Sequence, residues 1–223
     1  HELRLTGPRQ DLHSGTFGGS VMNPAIALSK ILASIIDDQG RIQIPGFYDD
    51  VAELSATEKS LLAKLPFDEN RYREQIGVAA LHGEAGHSTL ERRWSRPTFD
   101  VNGLTSGYQG EGAKTVLPAR ASAKFSFRLV PRQDPKKIEV ALAKFLRERC
   151  PPGITMEIVH HHGAGAVAVD LEKNPFVPAA VKAIEAGFGQ TPFFIREGGS
   201  IPVVSTFSTL LGVDTLLLGW GLD

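Results

Sequence analysis

The sequence predicts an α/β chain in two parts. The first is a two-layer unit, an antiparallel sheet with helices on one face. The second is a shorter, incomplete α/β segment. Three observations carry this. Leaving aside a stretch from about 45 to 97, the expected elements run strand, helix, strand, strand, helix, strand, the split order of ferredoxin-like domains. "ASAKFSFRLV" at 121–130 alternates without a break, with Ala123, Phe125, Phe127 and Leu129 on one face and Ser122, Lys124, Ser126 and Arg128 on the other. After "GAGAVAVD" (163–170) the rhythm changes to helices alternating with continuous apolar runs, as around buried parallel strands.

Each element has its own signal. "ELRLT" (2–6) sets Leu3 and Leu5 on one face of a strand. Residues 11–20, rich in Gly and Ser, read as a loop. Asn23 as cap and Pro24 in the first turn open a helix whose stripe is Ile26, Ile31, Leu32 and Ile35, closed by Asp37, Asp38 and Gly40. "RIQIPGFYDDV" is extended and interrupted by Pro45. Ser55 with Glu58 three residues later is a capping box for a helix over 55–66, and a shorter helix follows near 69–79. Residues 82–97 are polar and contain glycine, and no element stands out there. Residues 98–108 read as a strand, followed by a loop through Gly110 and Gly112. Asp134 and Pro135 open a helix to 149, and "ITMEIVHHH" (154–162) is a strand. "NPFVPAAVKAIEAGFG" is a helix, "PFFIREGGS" a strand running into a loop, "SIPVVSTFSTLLG" a helix and "DTLLLGWG" an apolar strand. The domain boundaries that follow are 1–163, with an insertion at about 45–97, and 164–223.

Composition narrows the function classes. The chain has 223 residues, 42% hydrophobic and 22% charged, ordinary for a globular protein of one or two domains. A net charge of -1 predicts no broad attraction to nucleic acid or anionic membrane. One cysteine, Cys150, excludes an internal disulfide framework and fits a reducing, cytoplasmic compartment. No uninterrupted apolar span of about 20 residues occurs, and no signal peptide is visible. The chain opens on "HELRLTG" without a start methionine and stops just after an apolar run, so both ends read as cuts in a longer protein.

The chemistry-bearing stretches each have a plain alternative. "QDLHSGTFGG" (10–19) holds Asp11, His13 and Ser14 within four positions. Such neighbours in a loop point apart, hydrolase triads assemble from distant segments, and the G-x-S-x-G elbow is missing. A turn with a helix behind it is the plainer account, although the glycines would let this loop approach a ligand. Arg128 shares a polar strand face with Lys124 and Ser126, either a solvated face or a bidentate receptor for a carboxylate. Thr115 lies on a preceding loop that could return to Arg128 and donate a hydroxyl hydrogen bond. In "REGGSIP" (196–202), Arg196 and Glu197 precede two glycines, either an anion-binding strand end or a tight turn with surface charges. His160, His161 and His162 alternate across a strand with no neighbouring carboxylate in sequence, and read as a surface strand exit. His82 and His87 flank Glu84 without further ligands. Spacing alone identifies no metal site.

Three segments together carry a resemblance. "DLHSGTFGGSVMNP", "GEGAKTVLPARASAKFSFRLVPRQDP" and "REGGSIPVVSTF" resemble the M20 metallopeptidase family, in its carnosinase-like dipeptidase branch. "GEAGHSTLERRWSRPTFDVNG" is similar to bacterial members of that branch. The resemblance implies a catalytic domain holding two zinc (or manganese) ions, with a smaller domain inserted in it as lid and dimerisation surface. Residues 1 to about 163 would be the lid, and the remainder a return into the catalytic domain. The chemistry implied is hydrolysis of a small peptide or amide, with metal-activated water and a glutamate base. The family's metal ligands and base glutamate have no counterpart in this sequence, so this chain is expected to bind no metal and to be inactive alone. His13 matches a lid histidine that reaches the partner subunit's active site and stabilises the oxyanion. Thr115 and Arg128 match residues holding the substrate's C-terminal carboxylate. Gly199 and Ser200 match a loop contacting the substrate backbone, with Asp11, Arg196 and Glu197 in support. A homodimer without nucleic-acid or membrane partners is implied. Two alternatives remain: an amidohydrolase of the same family acting on N-acyl or N-carbamoyl amino acids, and a non-catalytic dimerisation module.

Overall fold

The computed structural model describes residues 1–197 and 201–219. In chain order the elements begin with β1 (Glu2–Thr6), β2 (Leu12–His13), α1 (Ser14–Phe17) and α2 (Pro24–Ala33). Three short helices follow: α3 (Ala56–Ala63), α4 (Glu69–Ile76) and α5 (Thr89–Trp94). Then come β3 (Thr98–Ser106), β4 (Val116–Leu117), β5 (Arg120–Arg128), α6 (Pro135–Glu148) and β6 (Thr155–Val159). The chain continues through α7 (Val177–Phe188) and α8 (Pro202–Leu211).

Strands β3, β5, β1 and β6 pair in that order, each antiparallel to its neighbour. This is the arrangement the split pattern requires, with β5 inserted between β1 and β3. Register places Leu3 opposite Ala123 and Ile158, and Leu5 opposite Ala121 and Met156. All the inward residues of β1 and β5 from Ala121 to Phe125 are buried, and Phe127 packs against them partly buried. On α6, Ile138, Leu142, Phe145 and Leu146 form the buried stripe that a 3.6-residue period demands. On α2 the stripe is Ala27, Leu28, Ile31 and Leu32, continued past the helix end by Ile35. Ile26, expected in that stripe, is 51% exposed. Five residues separate it from Ile31, which turns it about 140° away around the helix.

The insertion is attached in two ways. Ile42, Ile44 and Phe47 enter the main core. The buried Gln133 spans the junction, its Nε2 donating to the Phe47 carbonyl at 2.7 Å and its Oε1 accepting from Val130 N at 2.9 Å. Further along, Arg96 grips Glu84 with two parallel bonds of 2.8 Å, the two side chains being 6% and 7% exposed. Arg41 donates to the same carboxylate at 2.9 Å and lies over the Tyr48 ring, while Arg96 also reaches Glu53. Burial works to raise the Glu84 carboxyl, but the Arg96 bonds and the charges of Arg96, His87 and Arg41 hold it below the ordinary glutamate range. Gly40 belongs to this junction. It has φ +74°, and a Cβ there would sit 2.6 Å from the Gly83 carbonyl, so only glycine fits.

Several expectations are corrected. The loop at 11–20 contains the two-residue β2 and the single-turn α1. The segment 82–97 holds α5, opened by a Ser88–Glu91 capping box. β6 ends at Val159, so His160, His161 and His162 lie beyond the strand. The strands expected within 192–200 and 214–221 are absent over their described parts, 192–197 and 214–219. Apolar runs supply strand propensity, but a strand also needs a backbone partner, and the described residues pair none with either run. No helix among the described residues is long and apolar enough to cross a membrane.

Two stability outcomes follow. Phe125→Ala removes a ring that is 1% exposed and should lower the unfolding free energy by about 3–5 kcal/mol in urea titrations, whereas Val140→Ala, at a site 72% exposed, should stay within about 0.5 kcal/mol. Glu84→Gln leaves the Arg96 guanidinium buried against a neutral amide and should cost about 3–5 kcal/mol near neutral pH. Because the folded Glu84 carboxyl titrates below its unfolded value, its contribution is complete above the ordinary glutamate pKa and lost as pH falls through the folded one. The gap between wild type and Glu84→Gln should therefore narrow below about pH 4.

Candidate functional site

The loop after β1 is tied back to the loop before β5. Asp11 Oδ1 accepts from Ala119 N at 2.7 Å, and Ser14 N donates to the Thr115 carbonyl at 3.0 Å. Between these ties, Leu12 and His13 pair with Leu117 and Val116. The exposed His13 ring then stands between two hydroxyls, with Nε2 3.1 Å from Thr115 Oγ1 and Nδ1 3.4 Å from Thr16 Oγ1. A Cβ at position 15 would lie 2.8 Å from His13 Cε1, so Gly15 leaves room for the ring. Neither Asp11 nor the Ser14 hydroxyl is bonded to His13, so these neighbours form no hydrolytic triad. Asp11, His13, Lys114 and Thr115 line a shallow surface pocket.

Arg128 occupies the other end of β5. It pairs with Thr98, eight residues beyond Arg120 and roughly 27 Å along the strand. Thr115 therefore does not return to Arg128; it joins His13. The Arg128 side chain is exposed and makes no hydrogen bond or ion pair among the described residues. It lines a large cavity that also receives Glu58, Val130, Trp94, Arg196 and Glu197. Lys124, on the same strand face, sits beside Glu2 across the ladder. Within the cavity Arg196 donates through Nη2 to Glu58 Oε1. Burial works to raise the Glu58 carboxyl, but the Ser55 amide and then Arg196 bring it below the ordinary glutamate range. Glu197 is exposed at the rim. Gly199 and Ser200 lie outside the described residues.

Sequence reasoning missed the partners. Glu58 was legible as a helix cap but not as the receptor of an arginine 138 residues away. The histidines after β6 do meet carboxylates, His160 Nδ1 at 3.7 Å from Glu139 and His161 Nε2 at 3.6 Å from Glu2, both brought in by the fold from elements distant in sequence. Among the described residues, no group of three His, Cys, Asp or Glu side chains converges where it could hold a metal ion. The described side chains therefore do not fit a pair of metal ions.

The chain is 36% identical over 226 residues to a Cys-Gly metallodipeptidase of Saccharomyces cerevisiae, covering 99% of this chain and 46% of that protein. The solved structure of an M20 family metallo-carboxypeptidase from Sulfolobus solfataricus superposes with a TM-score of 0.82 at 34% identity, covering 95% of this chain and 47% of that one. Human carnosine dipeptidase 1 superposes with a TM-score of 0.81 at 28% identity, covering 96% and 46%. The chain thus spans about half the length of the curated relatives it matches. Residues 1–154, which contain β1, β3 and β5 of the four-stranded sheet and stop just before β6, match the peptidase dimerisation domain of the M20 family, and the chain belongs to that family.

Proposed function

We propose that this chain is the lid and part of the catalytic segment of a metal-dependent dipeptidase, with residues 1–163 as lid and 164–223 as the partial catalytic segment. The parent would be a cytoplasmic homodimer acting on small peptides. Its zinc or manganese pair, and the activation of water that the pair supplies, would belong to parts of the parent outside this chain.

The observation that carries the reading is the separation of the two candidate groups. His13 and Thr115 form one cluster beside the Arg120 end of β5, where Asp11 is tied to Ala119, and Arg128 stands at the opposite end, roughly 27 Å along the strand from Arg120. A dipeptide spans only about 7 Å of backbone and cannot touch both within one chain. A two-fold dimer removes the difficulty, because the His13 loop of one protomer can meet the Arg128 face of its partner. In that arrangement Arg128 grips the terminal carboxylate with its planar fork. His13 stabilises the oxyanion as charge develops, and Thr115 orients the ring through Nε2 or donates beside it. The similar proteins are a Cys-Gly metallodipeptidase and a metallo-carboxypeptidase, and a peptide substrate with a free C-terminal carboxylate would suit the role given to Arg128.

Two outcomes test this in the full-length protein. Arg128→Lys should lower kcat/KM for a dipeptide by roughly 30- to 1000-fold, equivalent to about 2–4 kcal/mol, and barely affect the C-terminal amide of the same dipeptide. Equal losses on both substrates would reject the carboxylate role. His13→Ala and Arg128→Ala should each be nearly inactive, yet their co-expression should restore about a quarter of wild-type activity, because half of the dimers regain one intact site. Failure of the mixture to recover activity would rule out the role in trans.

A further inference from the structure

Residues 192–197 run beside the candidate substrate cavity without strand or helix. Among the described residues, the bond from Arg196 to Glu58 is the one hydrogen bond this stretch makes. Glu58 is built to receive it. As the third residue of α3 it closes a capping box, with its Oε2 accepting from Ser55 N at 2.9 Å and its own N–H donating to Ser55 Oγ at 3.2 Å. The carboxylate is thereby held in place, leaving Oε1 for the guanidinium. The two side chains are 33% and 29% exposed, so the pair is only partly screened by water. The adjacent Thr57 hydroxyl donates to Glu172 Oε1 at 2.7 Å, a second tie from the same helical turn to the C-terminal segment.

We propose that Glu58 is a positioning residue for the candidate substrate site: by holding Arg196, the insertion fixes the 192–197 segment against the wall that carries Arg128. The inference rests on the reading of Arg128 as the carboxylate receptor. It gives the insertion a task, that of a strut between the sheet domain and the C-terminal segment. It also keeps Arg196 occupied, so that this guanidinium does not compete with Arg128 for an anionic substrate group.

Glu58→Gln in the full-length protein separates this role from simple support of α3. Glutamine serves the capping box as glutamate does, so the helix keeps its N-terminus while the charge that holds Arg196 is removed. Trypsin cleavage after Arg196, followed by mass spectrometry under native conditions, should become about fivefold faster, with thermal unfolding nearly unchanged. KM for a dipeptide should rise about tenfold with kcat within about twofold. Arg196→Gln should give the same rise in KM, and the double variant should be no worse than either single one. An unchanged cleavage rate, or additive losses in the double variant, would overturn the proposal. Should wild-type protein hydrolyse no dipeptide, the substrate reading fails on its own, while the cleavage rate after Arg196 still decides whether Glu58 positions the segment.

Discussion

One strand sets the terms for the rest of the molecule. β5 is paired on both sides, and its two faces have opposite chemistry: Ala121, Ala123 and Phe125 lie in the core, while Ser122, Lys124 and Arg128 lie on the open face. A slip of one residue would bury a lysine and an arginine and expose a phenylalanine. The penalty for burying those charges locks the register, and through it the positions of β1 and β3. The same strand sets a distance. Its Arg120 end adjoins the tie from Asp11 to Ala119, and its Arg128 end faces the large cavity. A paired strand cannot shorten, so the separation of these two groups is a property of the backbone rise itself.

The insertion is held by a different kind of force. α3 and α4 bury no residue completely, so these helices add little apolar core of their own. What fastens the insertion is the entry of Ile42, Ile44 and Phe47 into the main core and the Arg96–Glu84–Arg41 cluster. A buried ion pair offsets its desolvation only when geometry is good and the remaining donors are satisfied. Here the fork of Arg96 is bidentate, Arg41 shares the carboxylate, and Arg92 Nε donates to the Glu84 carbonyl at 2.9 Å. Such a cluster contributes directional specificity, since it fits one docking of the insertion and penalises others through unpaired charge.

The His13 loop shows how small residues make room for an exposed imidazole. Gly15 leaves room for the imidazole, and a Cβ at position 18 would come within 2.4 Å of the Ser14 carbonyl. With Asp11 and Ser14 engaged in backbone ties, the ring is left exposed between two threonine hydroxyls. The short pairing of β2 with β4 carries it on a defined backbone instead of a free loop. The loop lies within residues 1–154, the part of the chain that matches the M20 peptidase dimerisation domain.

Local signals in the sequence were enough to determine most elements of the first unit. Caps at Asn23, Ser55 and Asp134 and the alternation of 121–129 act between residues a few positions apart, and the helices and strands they mark are present. The Ser88–Glu91 capping box was equally local and went unread among polar neighbours. The likeness of three separated segments also pointed to the family that the comparisons establish. Tertiary structure decided what depends on groups far apart in the chain. It put Thr115 with His13 rather than Arg128, paired Glu58 with Arg196, and buried Glu84 against Arg96. It also withheld the expected strands at 192–197 and 214–219. The reason is the same in each case: a cap or an amphipathic stripe is complete within one turn or one strand, whereas an ion pair or a β-ladder exists only when the fold delivers the second partner.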